Sequence, residues 1–247
     1  MSETGGHVLA MACVVAAAAA NVAGGLLVAR RAWSDEWLRY FVALGAGFML
    51  AAAITKMIPE AARLTPWAFG LVLTGYLLVH LFEHTVASHF HFGEETHHEH
   101  HLTTSTSVSA LVGLAVHSFF DGLTIASGFL VDRLLGVLLF TAIVLHKAPE
   151  GFTIASIVLA ARGTPRQAVG AATAVGAASV VGGLAMFAAP GLVGLALGLS
   201  AGVTLYVAAS DLVPEVNKEG HRAIPWTVFA GVVLYYVTEQ LLASLGV

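Results

Sequence analysis

Charge is what this chain has least of. Asp, Glu, Lys and Arg make up 11% of its 247 residues, against 57% hydrophobic residues, and mean hydropathy is +0.83. A water-soluble chain of this length needs far more charge to cover its surface, so the composition reads as membrane-embedded. The net charge of −4 carries no basic signature, and no nucleic-acid partner is expected. Cysteine is nearly absent: Cys13 stands alone, which excludes an intrachain disulfide. No Lys or Arg lies between Met1 and His7. A secretory signal peptide begins with a basic stretch, so the first apolar run is expected to stay as a helix.

What the chain has in abundance is apolar runs of about 20 residues, the length that crosses a bilayer as a helix. Eight are expected, over residues 8–29, 37–60, 67–88, 107–130, 134–161 and 166–188, then from the Pro190-Gly191 turn to 215, and over 224–245. The fold class is therefore an all-α membrane protein with eight transmembrane helices in one domain, residues 1–247. The 26 glycines suit helices packed through small residues. An even number of spans puts both termini on one side. With the termini outside, the inner loops hold seven Lys and Arg (Arg30, Arg31, Arg39, Arg162, Arg166, Lys218, Arg222) and the outer loops two, Arg63 and Arg133. That bias places both termini outside and the polar stretch 89–106 in the cytoplasm. Thr55-Lys56-Met57-Ile58-Pro59-Glu60 in the second span is echoed by Ser210-Asp211-Leu212-Val213-Pro214-Glu215 in the seventh. Because those spans run in opposite directions, the echo fits an inverted repeat, spans 1–3 against 6–8 with 4 and 5 between: a 3+2+3 arrangement.

The fourth and fifth spans carry the chemistry. Each has a His and a carboxylate four residues apart, His117 with Asp121 and His146 with Glu150. Residues at that spacing share one helix face. Two such helices side by side offer two imidazoles and two carboxylates, a mixed N/O set suited to Zn²⁺ or a similar divalent ion. An ionisable group at membrane depth costs roughly 2.5–3.5 kcal/mol on insertion scales and so marks a pathway or a site. The bland alternative is an interhelical hydrogen-bond network without metal. The expected function is movement of a divalent transition metal, zinc foremost, into the cytoplasm.

These motifs resemble the ZIP (Zrt-/Irt-like) family of divalent-metal transporters. The family pattern His-Asn-x-x-Asp/Glu-Gly is met by His117-Ser118-Phe119-Phe120-Asp121-Gly122. The pattern His/Gln-x-x-Pro-Glu-Gly is met by His146-Lys147-Ala148-Pro149-Glu150-Gly151, and Pro-Glu-Ala by Pro59-Glu60-Ala61. The resemblance implies a metal site between spans 4 and 5, a capacity to form a homodimer, and an elevator-like movement of spans 1, 4, 5 and 6 against spans 2, 3, 7 and 8. Some members hold a second metal, partly through the residue after each His. Here those positions are Ser118 and Lys147, and the sixth span has no Asp or Glu. A protonated lysine cannot ligate a cation, so one metal is expected rather than two. The expected location is a bilayer, taken to be a bacterial cytoplasmic membrane.

Several other residues form a candidate auxiliary pathway. Lys56 is expected to snorkel outward, with pairing inside the site as the alternative, and Met57 is a soft contact for a passing metal or plain packing. Asp211 and Glu215 line an exit route or solvate a helix end. His80-Leu81-Phe82-Glu83-His84 spells H-x-x-E-H, a zinc-protease signature. It raises the rival reading of a membrane-embedded metallohydrolase, which needs a third ligand and a water-filled cleft. In the loop, His97, His98, His100 and His101 are expected to bind metal weakly and to tune transport without being required for it.

Overall fold

The computed structural model describes residues 3–30, 35–85, 104–217 and 222–246. The chain enters as α1 (Glu3–Ala29) and turns into α2 (Asp35–Ala52). A π turn (Ala53–Met57) carries α2 into α3 (Ile58–Leu64), and α4 (Ala68–Thr85) follows. After the His-rich stretch come α5 (Thr104–Val131), α6 (Arg133–Ala160) and α7 (Pro165–Ala188). Next is α8 (Val193–Tyr206), which passes through a second π turn (Val207–Leu212) into α9 (Val213–Asn217). The last helix is α10 (Ala223–Ser244). No strand occurs among the described residues. The eight expected spans correspond to eight helical rods, with α2–α3 and α8–α9 each counted as one. Seven of the rods are long and apolar enough to cross a membrane. The remaining one, α4, carries His80, Glu83, His84 and Thr85 in the last of its described residues, and these polar residues lower its hydropathy.

Both π turns have the same cause. Pro59 and Pro214 lack an N–H, and in a regular helix the proline ring meets the carbonyl four residues back. Widening the preceding turn avoids that contact. Ile58 N–H then reaches back five residues to the Ala53 carbonyl, and Val213 N–H likewise to that of Ala208. The pattern of apolar residues carries an ordinary helix through both places, because periodicity does not see the widening. Pro149 behaves differently: α6 runs on through it without interruption.

The rods divide into two groups by their packing. α1, α5, α6 and α7 lie chiefly against one another. In the second group α4 lies on α8, and α10 on α2. An apolar cluster joins the groups, with Phe48 and Met49 of α2, Leu138 and Leu139 of α6, Leu197 of α8 and Tyr235 of α10 all buried. Phe48 and Tyr235 meet edge to face at 5.3 Å. The closest helix pairs approach through reciprocal glycines. A Cβ on Gly47 would strike the Val228 carbonyl and one on Gly231 that of Leu44. Gly75 and Gly202 stand likewise against the Leu199 and Val72 carbonyls, Gly122 and Gly182 against those of Ser179 and Phe119, and Gly24 and Gly151 against those of Ala148 and Asn21. Gly47 stands twelve residues before Pro59, and Gly202 twelve before Pro214, so the sequence echo extends to the packing. The exterior is apolar, with Trp67, Phe69, Leu73, Trp226 and Phe229 exposed, as suits a surface turned to lipid.

Candidate metal centre between α5 and α6

The hairpin of α5 and α6 sets the site. Only Asp132 separates the two helices. Its backbone is extended, and its side chain accepts from Leu135 N–H at 2.8 Å, capping α6. His117 stands fifteen residues before Asp132 and His146 fourteen after. At 1.5 Å per residue both imidazoles lie about 21–23 Å from the turn, at one depth. Gly122 and Gly151, each directly after a site carboxylate, let α7 and α1 close in behind.

His117, Asp121, His146 and Glu150 come together, all buried, with one ligand atom of each within 4.8 Å of the others. Asp121 Oδ2 is the hub: His117 Nε2 lies at 3.3 Å and His146 Nε2 at 3.4 Å. His146 Nδ1 stands 3.1 Å from the Ala142 carbonyl. If Nδ1 carries the proton, Nε2 is left as a lone-pair ligand facing the hub. The imidazole centroids are 5.6 Å apart. Two imidazoles and two carboxylates form a donor set of the kind that holds a four-coordinate divalent ion.

Beside this set lies the Lys147 ammonium, fully buried. It meets Asp121 Oδ2 at 2.7 Å and Glu150 Oε2 at 2.5 Å, and donates to Ser118 Oγ at 2.5 Å. Ser118 in turn donates to Glu150 Oε1 at 2.5 Å. Lys147 thus bridges the two carboxylates, sharing Asp121 Oδ2 with the imidazoles, and Ser118 links it again to Glu150. Among the described residues no other group of three or more His, Cys, Asp or Glu is placed to hold a metal.

The auxiliary residues do not join this site. Lys56 Nζ pairs with Glu239 Oε1 of α10 at 2.9 Å and remains one-third exposed. Met57 is packed into the apolar cluster with Phe48 and Leu138. His80 and His84 are exposed and lie ring to ring at 4.2 Å, whereas Glu83 is buried and accepts from the Tyr206 hydroxyl at 2.9 Å. Among the described residues the H-x-x-E-H letters do not converge with a further ligand as a hydrolytic zinc site: the helix turns the glutamate into the protein and leaves the histidines outside. Asp211 is buried within the second π turn, not at a solvated helix end. Glu215 sits on α9, with its side chain outside the described residues. His97, His98, His100 and His101 lie outside the described residues, and α5 takes in Thr104 to Thr106 of the stretch expected as loop.

Reasoning from the sequence passed over Asn21 of α1. It is fully buried, neither amide atom has a partner among the described residues, and it packs against Gly151. A single amide in an otherwise apolar first span was the available signal. Glu239 and Tyr206 were also passed over; only the tertiary partners give them meaning.

A polytopic helical membrane protein with a buried His/carboxylate cluster inside one helix hairpin is the class these features define. The family model described as ZIP zinc transporter matches residues 5–111 and 103–245, and the chain belongs to that family. It is similar to the zinc transporter ZIP9 of Xenopus tropicalis, 29% identical over 245 residues, covering 78% of this chain and 80% of the relative. It is similar also to ZIP9-A of Xenopus laevis, 24% identical with the same coverage. Against ZIP9 of Micropogonias undulatus it is 30% identical over 165 residues, spanning 62% of this chain and about half, 52%, of the relative.

Proposed function

We propose that this protein carries a divalent transition metal, zinc foremost, across a membrane into the cytoplasm through one site formed by His117, Asp121, His146 and Glu150. The observation that carries the reading is the convergence of these four buried side chains from α5 and α6. Family membership supports metal transport rather than enzymatic chemistry. The zinc named for the ZIP9 relatives supports zinc as cargo, with other divalent ions that accept His and carboxylate ligands as competitors.

In this reading residues 1–247 form one domain of eight spans, α4 included, with both termini outside. The 3+2+3 inverted repeat is supported by the paired π turns and the reciprocal glycines. The group of α1, α5, α6 and α7 carries the metal against the rest, and the apolar cluster centred on Phe48 and Leu138 is the surface that slides. The bilayer is the partner of the apolar exterior, and a homodimer is what the resemblance implies. Lys147 takes the place of a second metal: its ammonium offsets the repulsion between Asp121 and Glu150 and keeps both ionised for the cargo. The relatives named above are vertebrate proteins and lend no support to a bacterial cytoplasmic membrane; the multi-pass membrane placement stands on the family and the apolar helices.

The test is uptake into proteoliposomes with a panel of competing divalent ions. Glu150→Ala is expected to abolish saturable zinc uptake while the protein stays folded. Near-normal uptake by that variant would sink the assignment.

A further inference from the structure

The H-x-x-E-H stretch holds one residue that the metal cluster does not use. Phe82 lies between the exposed His80 and His84 and directly before the buried Glu83. The Tyr206 hydroxyl of α8 donates to Glu83 Oε2 at 2.9 Å, and the contact of Gly75 with Gly202 seats α4 on α8 further up. These contacts fix the rotation of α4 and turn Phe82 toward α5. A Cβ on Gly113 would lie 3.1 Å from Phe82 Cε1, so the ring edge rests on the bare backbone of α5. Phe82 is half-buried and packs on the buried cluster of Leu114, Ile154, Ile157 and Val175, from α5, α6 and α7. Among the described apolar residues packed on that cluster, only Phe82 comes from the second helix group.

The depth of this contact relates it to the metal cluster. Gly113 stands four residues before His117, and Ile154 four after Glu150. Both therefore lie about 6 Å beyond the ligands, on the side away from the Asp132 turn. Toward that turn, Leu135, Leu138, Leu139 and Ala142 of α6 are all buried in the apolar cluster that joins the two helix groups, a barrier about two turns deep. On the far side the second group contributes a single ring. A hydrophobic constriction excludes water and a hydrated ion. Displacing one half-buried ring exposes far less apolar surface than parting the deeper barrier.

We propose that Phe82 is the gate of the metal cluster on the side where α4 ends and α5 begins: its ring, seated on Gly113, seals the cluster from water and withdraws to let the ion leave. That an ion passes this gate rests on the function proposed above. The seat of the ring on Gly113 stands without it.

Thiol labelling reads the seal without reference to transport. The full-length protein, with Cys13→Ser and Leu114→Cys, is placed in lipid nanodiscs, which expose both faces, and treated with a charged thiol reagent. Labelling is expected to be slow while Phe82 is present and at least about tenfold faster in Phe82→Ala, because local opening then needs no ring displacement. Leu138→Cys, in the opposite barrier, should label slowly with or without Phe82. Equal rates at Leu114→Cys with and without Phe82 would overturn the proposal. So would equal acceleration at Leu138→Cys, the mark of a loosened fold. Zinc bound beforehand should also pass to an external chelator faster from Phe82→Ala, and an unchanged release rate would overturn the gate. Failure of the unaltered protein to bind zinc would refute the transport reading instead, with the labelling rates still deciding the seal.

Discussion

At the scale of single residues, Lys147 and Glu150 show why a membrane site has to be read as a set. Glu150 faces the cluster with the imidazoles and is also bound by Ser118 and Lys147. Removing the ammonium by Lys147→Ala leaves two carboxylates in a dry pocket with no fixed positive charge. Breaking a buried pair in this way costs about 3–5 kcal/mol unless the remaining group changes its protonation. Here one carboxylate can take up a proton, which then competes with metal. Zinc affinity of Lys147→Ala is therefore expected to fall, by about tenfold for each unit by which the ligand's proton affinity exceeds the working pH, and most at low pH. Zinc titration of the purified variant at two pH values checks this; unchanged affinity at both would remove the role given to Lys147. The His, Asp and Glu members of the site were legible in the sequence, since i, i+4 spacing is a property of any helix. The place of Lys147 beside them was an expectation from its position directly after His146, with snorkelling away as the alternative; its neighbours decide between the two, and the ammonium meets both carboxylates.

At the scale of elements, backbone proximity controls the hairpin. Gly122 lies against the Ser179 carbonyl of α7, with a backbone atom rather than a flexible side chain as the obstacle. Gly122→Ala forces α5 and α7 apart directly beside Asp121, and overpacking of this kind typically costs about 1–3 kcal/mol. Gly170, on the exposed face of α7, has nothing within 4 Å of an added Cβ. There Gly170→Ala is expected to be neutral or mildly stabilising, by up to about 1 kcal/mol from helix propensity. Thermal unfolding of the two variants in detergent should separate them, with the midpoint lowered only for Gly122→Ala. The helices themselves were plain in the apolar runs. The π turns were not, although Pro59 and Pro214, their cause, are visible in the sequence; an apolar run looks the same whether the turn is α or π.

At the scale of the whole molecule, the cluster makes cargo binding compete with protons. An imidazole must be neutral to ligate a metal, and a free imidazole takes its proton near pH 6.5. Protons compete with metal for imidazole lone pairs, so apparent zinc affinity is expected to fall as pH drops from about 7.5 to 5. Uptake measured across that range checks the sign, and a flat profile counts against imidazole ligation.

The sequence alone determined a helical membrane protein, the approximate ends of its spans, the four candidate ligands and the family resemblance. Each of these depends on local periodicity or on residues close together in the chain, and backbone geometry turns such spacing directly into position. Only the tertiary structure decided that Lys56 answers Glu239 rather than the metal cluster, that H-x-x-E-H is split between an exposed and a buried face with Glu83 meeting Tyr206, and that Asp211 is buried rather than in water. Those partners are separated by more than a hundred residues. Which side chains meet across two helices depends on the rotation of each helix about its axis, which is set by packing through glycines and by the turn before each proline, not by the residues that come to touch.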